Sequence, residues 1–254
     1  MRARLHFRRL AALLGLVTAL PALADTATVA VAANFLAPLQ SLQGAFERSG
    51  HHDLKLVSGS TGQLYAQITN GAPFDVLLAA DQQTVAKLVT EGLADGSTRF
   101  TYAVGTLVLF TRDAAKFAPL TLDTLRRDDF RWLAIANPQL APYGLAAQQT
   151  LQTLGLWEPL QPRLVRGQSI AQTFSLAETR NAELAFVALS QVIAYREASA
   201  YLTVPAQLHS PLRQDAVRLR HGRDNVAARA FLVFLGGPEA AKAIASFGYG
   251  PGAP

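Results

Sequence analysis

From Thr28 to Glu91 the chain alternates short apolar runs with helical stretches three times, and this rhythm constrains the fold more than any other feature. The runs Thr28–Ala33, Leu54–Val57 and Asp75–Ala80 have strand length and are rich in Val, Leu and Ala. Between the first two, Phe35, Leu39, Leu42 and Phe46 recur at helical spacing. Leu64 and Ile68 follow the second run, and Val85, Leu88 and Val89 follow the third. This β-α-β-α-β-α order predicts a parallel sheet covered by helices on both faces.

The pattern shifts after residue 103. Strands are expected at Thr106–Thr111, Leu133–Ala136, Leu164–Arg166 and Leu184–Leu189. Helices are expected from Pro142-Tyr143-Gly144, from a Ser169 cap, and over Gln191–Arg196. Ala216–Leu219 reads as a return strand, and Asn225–Leu235 and Pro238–Phe247 as closing helices. The preferred architecture is α/β with two lobes, residues 25–103 plus 210–254 and residues 104–209. A single large doubly wound domain is the alternative. The Gly- and Pro-rich end, Gly248–Pro254, reads as a frayed tail.

Residues 1–24 have the form of a secretory signal peptide. Arg2, Arg4, Arg8 and Arg9 precede the apolar stretch Leu10–Leu20, and Ala22-Leu23-Ala24 is a small-x-small cleavage pattern. The stretch is too short to span a bilayer as an anchor. The formal charge is +5; losing those four arginines leaves +1, so neither nucleic acid nor an acidic membrane surface is implied as a partner. The chain has no cysteine. That excludes disulfides, thiolate metal sites, a cysteine nucleophile and a lipid-modified terminal cysteine. An exported chain of this kind suits the periplasm.

Four places share one design: a strand ends, a small or polar residue follows, and a helix begins. They are Ala33-Asn34, Ser60-Thr61-Gly62, Tyr143-Gly144 and Ser169-Ile170. Ligands of open α/β sheets bind beyond the carboxyl ends of strands. A helix start supplies unpaired N–H groups and about half a positive charge. Two such starts from each lobe would surround a small oxyanion with donors, the hydroxyls of Ser60, Thr61 and Tyr143 and the amide of Asn34 adding more. Taken singly, each is an ordinary cap or turn former.

With the blocks Val29–Asn34, Ser58–Gly62, Ile68–Asp81, Asn137-Pro138 to Tyr143-Gly144, and Phe186-Val187-Ala188-Leu189-Ser190-Gln191, the chain resembles the periplasmic molybdate-binding proteins of ABC transporters. The resemblance implies the two-lobed type II binding-protein fold and a tetrahedral molybdate or tungstate dianion held by hydrogen bonds alone. It implies no cofactor, no direct metal ligand, a monomer, and a membrane permease as partner. By position, Asn34 stands at the first-loop ligand and Thr61 at the second-loop hydroxyl. Tyr143 stands at the third helix start, and Ile170 donates from its backbone at the fourth. Two positions depart from relatives: Ala33 precedes Asn34 where many have Ser or Thr, and Ala188 stands where some have Tyr. The Tyr143 hydroxyl is expected to compensate for Ala188.

Other functions are less well supported. Ser60 sits in Gly59-Ser60-Thr61-Gly62, not in Gly-x-Ser-x-Gly, so a serine hydrolase is disfavoured. His51-His52 lacks the i, i+4 spacing of a helical zinc pair, and Gly59–Gly62 lacks the lysine of a nucleotide-phosphate loop. Asp75 reads as structural and Asp81 as a helix cap. Receptors for sulfate, phosphate, an amino acid or a sugar remain alternatives. Sulfate is the nearest, and Arg166 is the one arginine near a loop start.

Overall fold

The computed structural model describes residues 25–50 and 52–253; the signal peptide expected over residues 1–24 lies outside them, as do His51 and Pro254. Two mixed sheets, each flanked by helices, make two lobes. The first sheet has the order β11-β4-β10-β3-β1-β2, from β1 (Thr26–Ala32), β2 (Asp53–Gly59), β3 (Val76–Leu78), β4 (Ala94–Gly105), β10 (Leu212–Leu219) and β11 (Gly250–Ala253). The second has the order β7-β6-β8-β5-β9, from β5 (Leu107–Thr111), β6 (Leu133–Ala136), β7 (Leu164–Gly167), β8 (Leu184–Ala188) and β9 (Ala200–Thr203). The chain leaves the first sheet between Gly105 and Leu107 and returns between Thr203 and Leu212.

The parallel part is the one the alternation marks. β1 pairs in parallel with β2 and β3, and β6 with β7 and β8. The other pairings are antiparallel, so the sheets are mixed where mostly parallel ones were expected. Two of the antiparallel strands, β4 and β10, border the crossings between lobes. The tail expectation is corrected outright: residues 250–253 pair along β4, Gly250 opposite Val104 and Ala253 opposite Thr101.

β1 is sandwiched, and its side chains show why. Val29 and Val31 join one core with Phe35, Leu39 and Phe46 of the segment into α1 (Leu36–Gly50), and with Phe231 of α9 (Val226–Leu235) and Ile244 of α10 (Pro238–Ser246). Ala30 points to the other face, against Leu64 and Ile68 of α2 (Thr61–Thr69) and Val85 and Leu88 of α3 (Gln83–Thr90). The Phe46 and Phe231 rings meet edge to face at 5.5 Å. Each such fully buried side chain contributes about 1.5–3 kcal/mol of transfer free energy.

The second lobe repeats the plan. Leu107, Leu109, Ile135 and Phe186 pack on Ala147 and Leu151 of α5 (Pro142–Thr153), beside which lie the short helices α4 (Ala114–Phe117) and α6 (Trp157–Leu160). Val108, Phe110 and Val187 face Phe174 and Ala177 of α7 (Ile170–Glu178) and Val192 of α8 (Leu189–Ala194). The α5-side core also takes in Ala32, Ala33, Ala80 and Leu212, so it reaches across the lobes where the strand ends meet.

Candidate functional site

The four expected helix starts converge. Ala32, Ala33, Asn34, Ser60, Thr61, Ala80, Ala141, Pro142, Tyr143 and Ile170 line one small cavity. It lies beyond the carboxyl ends of β1, β2, β6 and β7, and no lining residue carries a charge.

Local chemistry makes each start. Ser60 caps α2 through a capping box: its hydroxyl accepts from Gln63 N, and the Gln63 Oε1 accepts from Ser60 N at 3.0 Å. Pro142 begins α5, where a missing N–H costs nothing. Gly144 lets that helix seat on the end of β6; a Cβ there would come within 2.2 Å of the Ala136 carbonyl oxygen. Ser169 caps α7, its Oγ accepting from Gln172 N. Thr61 and Ile170 are the first residues of their helices and Tyr143 the second. Their backbone N–H groups have no acceptor within the helix.

The side chains divide by task. Thr61 Oγ1 accepts from Ala80 N at 3.0 Å, which leaves its single proton to donate. Ser60 Oγ is occupied in its own cap, donating to Gln63 Oε1 at 2.9 Å. Asn34 is not the helix cap expected; it lies inside a 3-10 turn, Ala33–Phe35, with no cap bond from a side chain. Its amide turns into the protein, donating to Gln214 Oε1 at 2.9 Å and Tyr249 Oη at 3.0 Å. Tyr143 Oη likewise accepts from Gln214 Nε2 at 3.3 Å and lies against Gly105. Ala188 is fully buried and does not line the cavity; its N–H donates to Gln191 Oε1. The structure therefore brings together Ala33, Asn34, Ser60, Thr61, Tyr143 and Ile170 and leaves Ala188 outside.

Burial raises the Tyr143 and Tyr102 hydroxyls well above the usual phenol range and the Tyr249 hydroxyl to about 12, so all three stay protonated. Arg166 is exposed and pairs with Gln161 Oε1, away from the cavity. Among the described residues, no group of three or more His, Asp or Glu side chains is placed to hold a metal ion. Asp75 is structural, as expected, accepting from Thr28 N and pairing with His221. Asp81 caps the start of α3 by accepting from Thr84 N at 2.7 Å.

A family model for bacterial extracellular solute-binding proteins matches residues 27–250. The chain belongs to that family. This solute-binding protein is 47% identical over 226 residues to the molybdate-binding protein ModA of Azotobacter vinelandii, covering 87% of this chain and 88% of that one. It is 44% identical over 240 residues to ModA of Rhodobacter capsulatus, covering 94% and 93%. Among solved structures, the Azotobacter vinelandii periplasmic molybdate-binding protein superposes with a TM-score of 0.81 at 38% identity, covering 88% of this chain and 98% of that one. The sulfate-binding protein SubI of Mycobacterium tuberculosis, with a TM-score of 0.74 at 16% identity over 90% and 86%, shares the fold.

Sequence reasoning missed the residues behind the cage of this solute-binding protein. Gln191 accepts from Ala188 N and donates to Ile170 O at 3.1 Å, tying the starts of α7 and α8 together. Gln191 closes the segment Phe186–Gln191, but nothing in that segment reveals its reach to Ile170. Gln214 and Tyr249 lie 180 and 215 residues from their partner Asn34 and carry no local signal.

Proposed function

We propose that the protein captures molybdate or tungstate through neutral hydrogen-bond donors and delivers it to the membrane permease of an ABC transporter. The observation that carries this is the convergence of four helix starts, drawn from both lobes, on one cavity lined by uncharged residues. The names of its relatives agree. Backbone N–H groups at Thr61, Tyr143 and Ile170 and the Thr61 hydroxyl are the proposed donors, with Ala33, Asn34 and Ser60 completing the wall. The lobes are taken as residues 25–103 plus 210–254 and residues 104–209, and sheet membership supports this division, β4 running two residues past 103. Export to the periplasm by residues 1–24, action as a monomer and the absence of any enzymatic step belong to the same reading.

Selectivity then follows from size. Sulfate has the same charge and shape as molybdate but is smaller. Donors fixed on helix ends cannot follow a smaller ion inward, and each left unpaired costs about 1–3 kcal/mol. Two such donors give roughly 30-fold discrimination or more. Calorimetric titration with molybdate, tungstate, sulfate and phosphate tests this. Tight binding of the first two and at least roughly 30-fold weaker sulfate binding is expected. Equal sulfate and molybdate affinity would overturn the size mechanism, and no binding of any oxyanion would overturn the function.

A further inference from the structure

Behind the cavity lies a buried polar cluster that the anion cage does not itself require. Its centre is Gln214, on β10 at the return crossing, fully buried. Gln214 Oε1 accepts from Asn34 Nδ2 at 2.9 Å and from Tyr102 Oη at 3.0 Å. Gln214 Nε2 donates to Tyr143 Oη at 3.3 Å. Asn34 belongs to the helix start after β1, and Tyr143 to the start of α5 in the other lobe. One planar amide therefore bridges two of the four helix starts, one from each lobe.

The bridge is built in, with one orientation. Flipping the Gln214 amide would set its NH2 against the NH2 of Asn34, two donors face to face. Asn34 is fixed from its other side, where its carbonyl accepts from Ser190 Oγ and Tyr249 Oη, each at 2.8 Å. Gly105 makes the necessary room: a Cβ there would stand 2.1 Å from Tyr143 Oη and 2.7 Å from Gln214 Nε2. A side chain at the lobe crossing would thus displace the bridge.

We propose that Gln214 is a positioning residue that sets the separation of the Asn34 and Tyr143 helix starts, and with it the size of oxyanion that the cage accepts. It does not line the cavity. It acts by holding from behind the two segments that line the cavity. The inference rests on the oxyanion reading above and deepens it by naming what keeps the cage rigid. Without the bridge, the α5 start is free to shift toward a smaller ion, so sulfate loses less than molybdate does.

The test is calorimetry with molybdate and with sulfate on the full mature protein, on Gln214→Met, on Tyr143→Phe and on the double variant, with melting of the anion-free proteins alongside. Gln214→Met is expected to weaken molybdate binding roughly tenfold or more and to lower the molybdate-to-sulfate affinity ratio by a similar factor. Tyr143→Phe, which removes only the bridged hydroxyl, is expected to lower the ratio in the same direction. The double variant is expected to be no worse than Gln214→Met alone, because both cut one bridge. A merely structural role would lower the melting temperature and weaken both anions equally, leaving the ratio unchanged; that result overturns the inference. So does additivity of the two substitutions. If Gln214→Met does not fold, an unchanged ratio in Tyr143→Phe overturns the inference by itself. Failure of the unaltered protein to bind either anion overturns the oxyanion reading, and this inference with it.

Discussion

Thr61 shows how one hydroxyl serves stability and binding together. Its oxygen satisfies the buried Ala80 N–H, and its proton is left for the cavity. Thr61→Ala leaves that N–H unpaired and removes a donor. A loss of about 1–3 kcal/mol in unfolding free energy is expected, together with weaker oxyanion binding. Thr61→Ser should restore both. Chemical denaturation and calorimetry on the two variants decide it, and undiminished affinity in Thr61→Ala would remove the residue from the donor set. Asn34 had the opposite fate to the one its sequence position suggested. An Asn after a strand reads as a cap, yet here its amide spends both protons on Gln214 and Tyr249. Local sequence cannot reveal that, because both acceptors arrive from the far end of the chain.

At the level of elements, the helix starts were legible and some of the strands were not. Ser60, Ser169 and Asn225 cap their helices through side chains, as their residue types allow. β4 escaped because Asp95, Gly96, Ser97, Thr98 and Arg99 carry no apolar run; the strand is held by pairing with β10 and β11 rather than by its own apolar pattern. β11 escaped because Gly and Pro suggested disorder, and an edge strand tolerates both. The start of α3 carries a testable charge. Asp81 borders the groove between the lobes next to the cavity, and burial raises its carboxyl pKa, with Asp215 adding to the effect. Below the raised pKa the group is neutral; above it, a negative charge faces an arriving dianion. The native state thus holds its proton longer than the unfolded chain does, and stability falls as pH rises through that interval. Asp81→Asn keeps a capping oxygen and removes the charge. It should bind the oxyanion more tightly than the unaltered protein at neutral pH, with the advantage shrinking as pH falls toward the raised pKa. Parallel titrations across pH measure it, and a pH-independent ratio would exclude the carboxylate as its source.

Across the whole molecule, the two lobes touch through main chain as well as side chains. Gly62 N, at the start of α2, donates to Leu140 O of the other lobe at 2.8 Å. A Cβ at Gly62 would sit 3.0 Å from Leu140 Cα and 3.1 Å from its oxygen. Gly62→Ala should therefore disfavour the arrangement in which the two lobes touch here and weaken capture, since a ligand held between the lobes must then supply the free energy of restoring that contact. In the unaltered protein, molybdate at 100 times its Kd should add about 2.7 kcal/mol to stability. Gly62→Ala should show a smaller thermal shift at the same concentration; an equal shift would show that the contact plays no part in capture.

The last strand has a practical corollary. Pro251 and its neighbours zip onto β4, and Tyr249, just before them, sits between Asn34 and Ser190. A nonsense change or proteolytic nick ahead of codon 249 would strip a sheet edge and pull a hydroxyl from behind the anion chamber in one stroke. Purification handles and fluorescent fusions are therefore better attached ahead of Asp25 than at the carboxyl end.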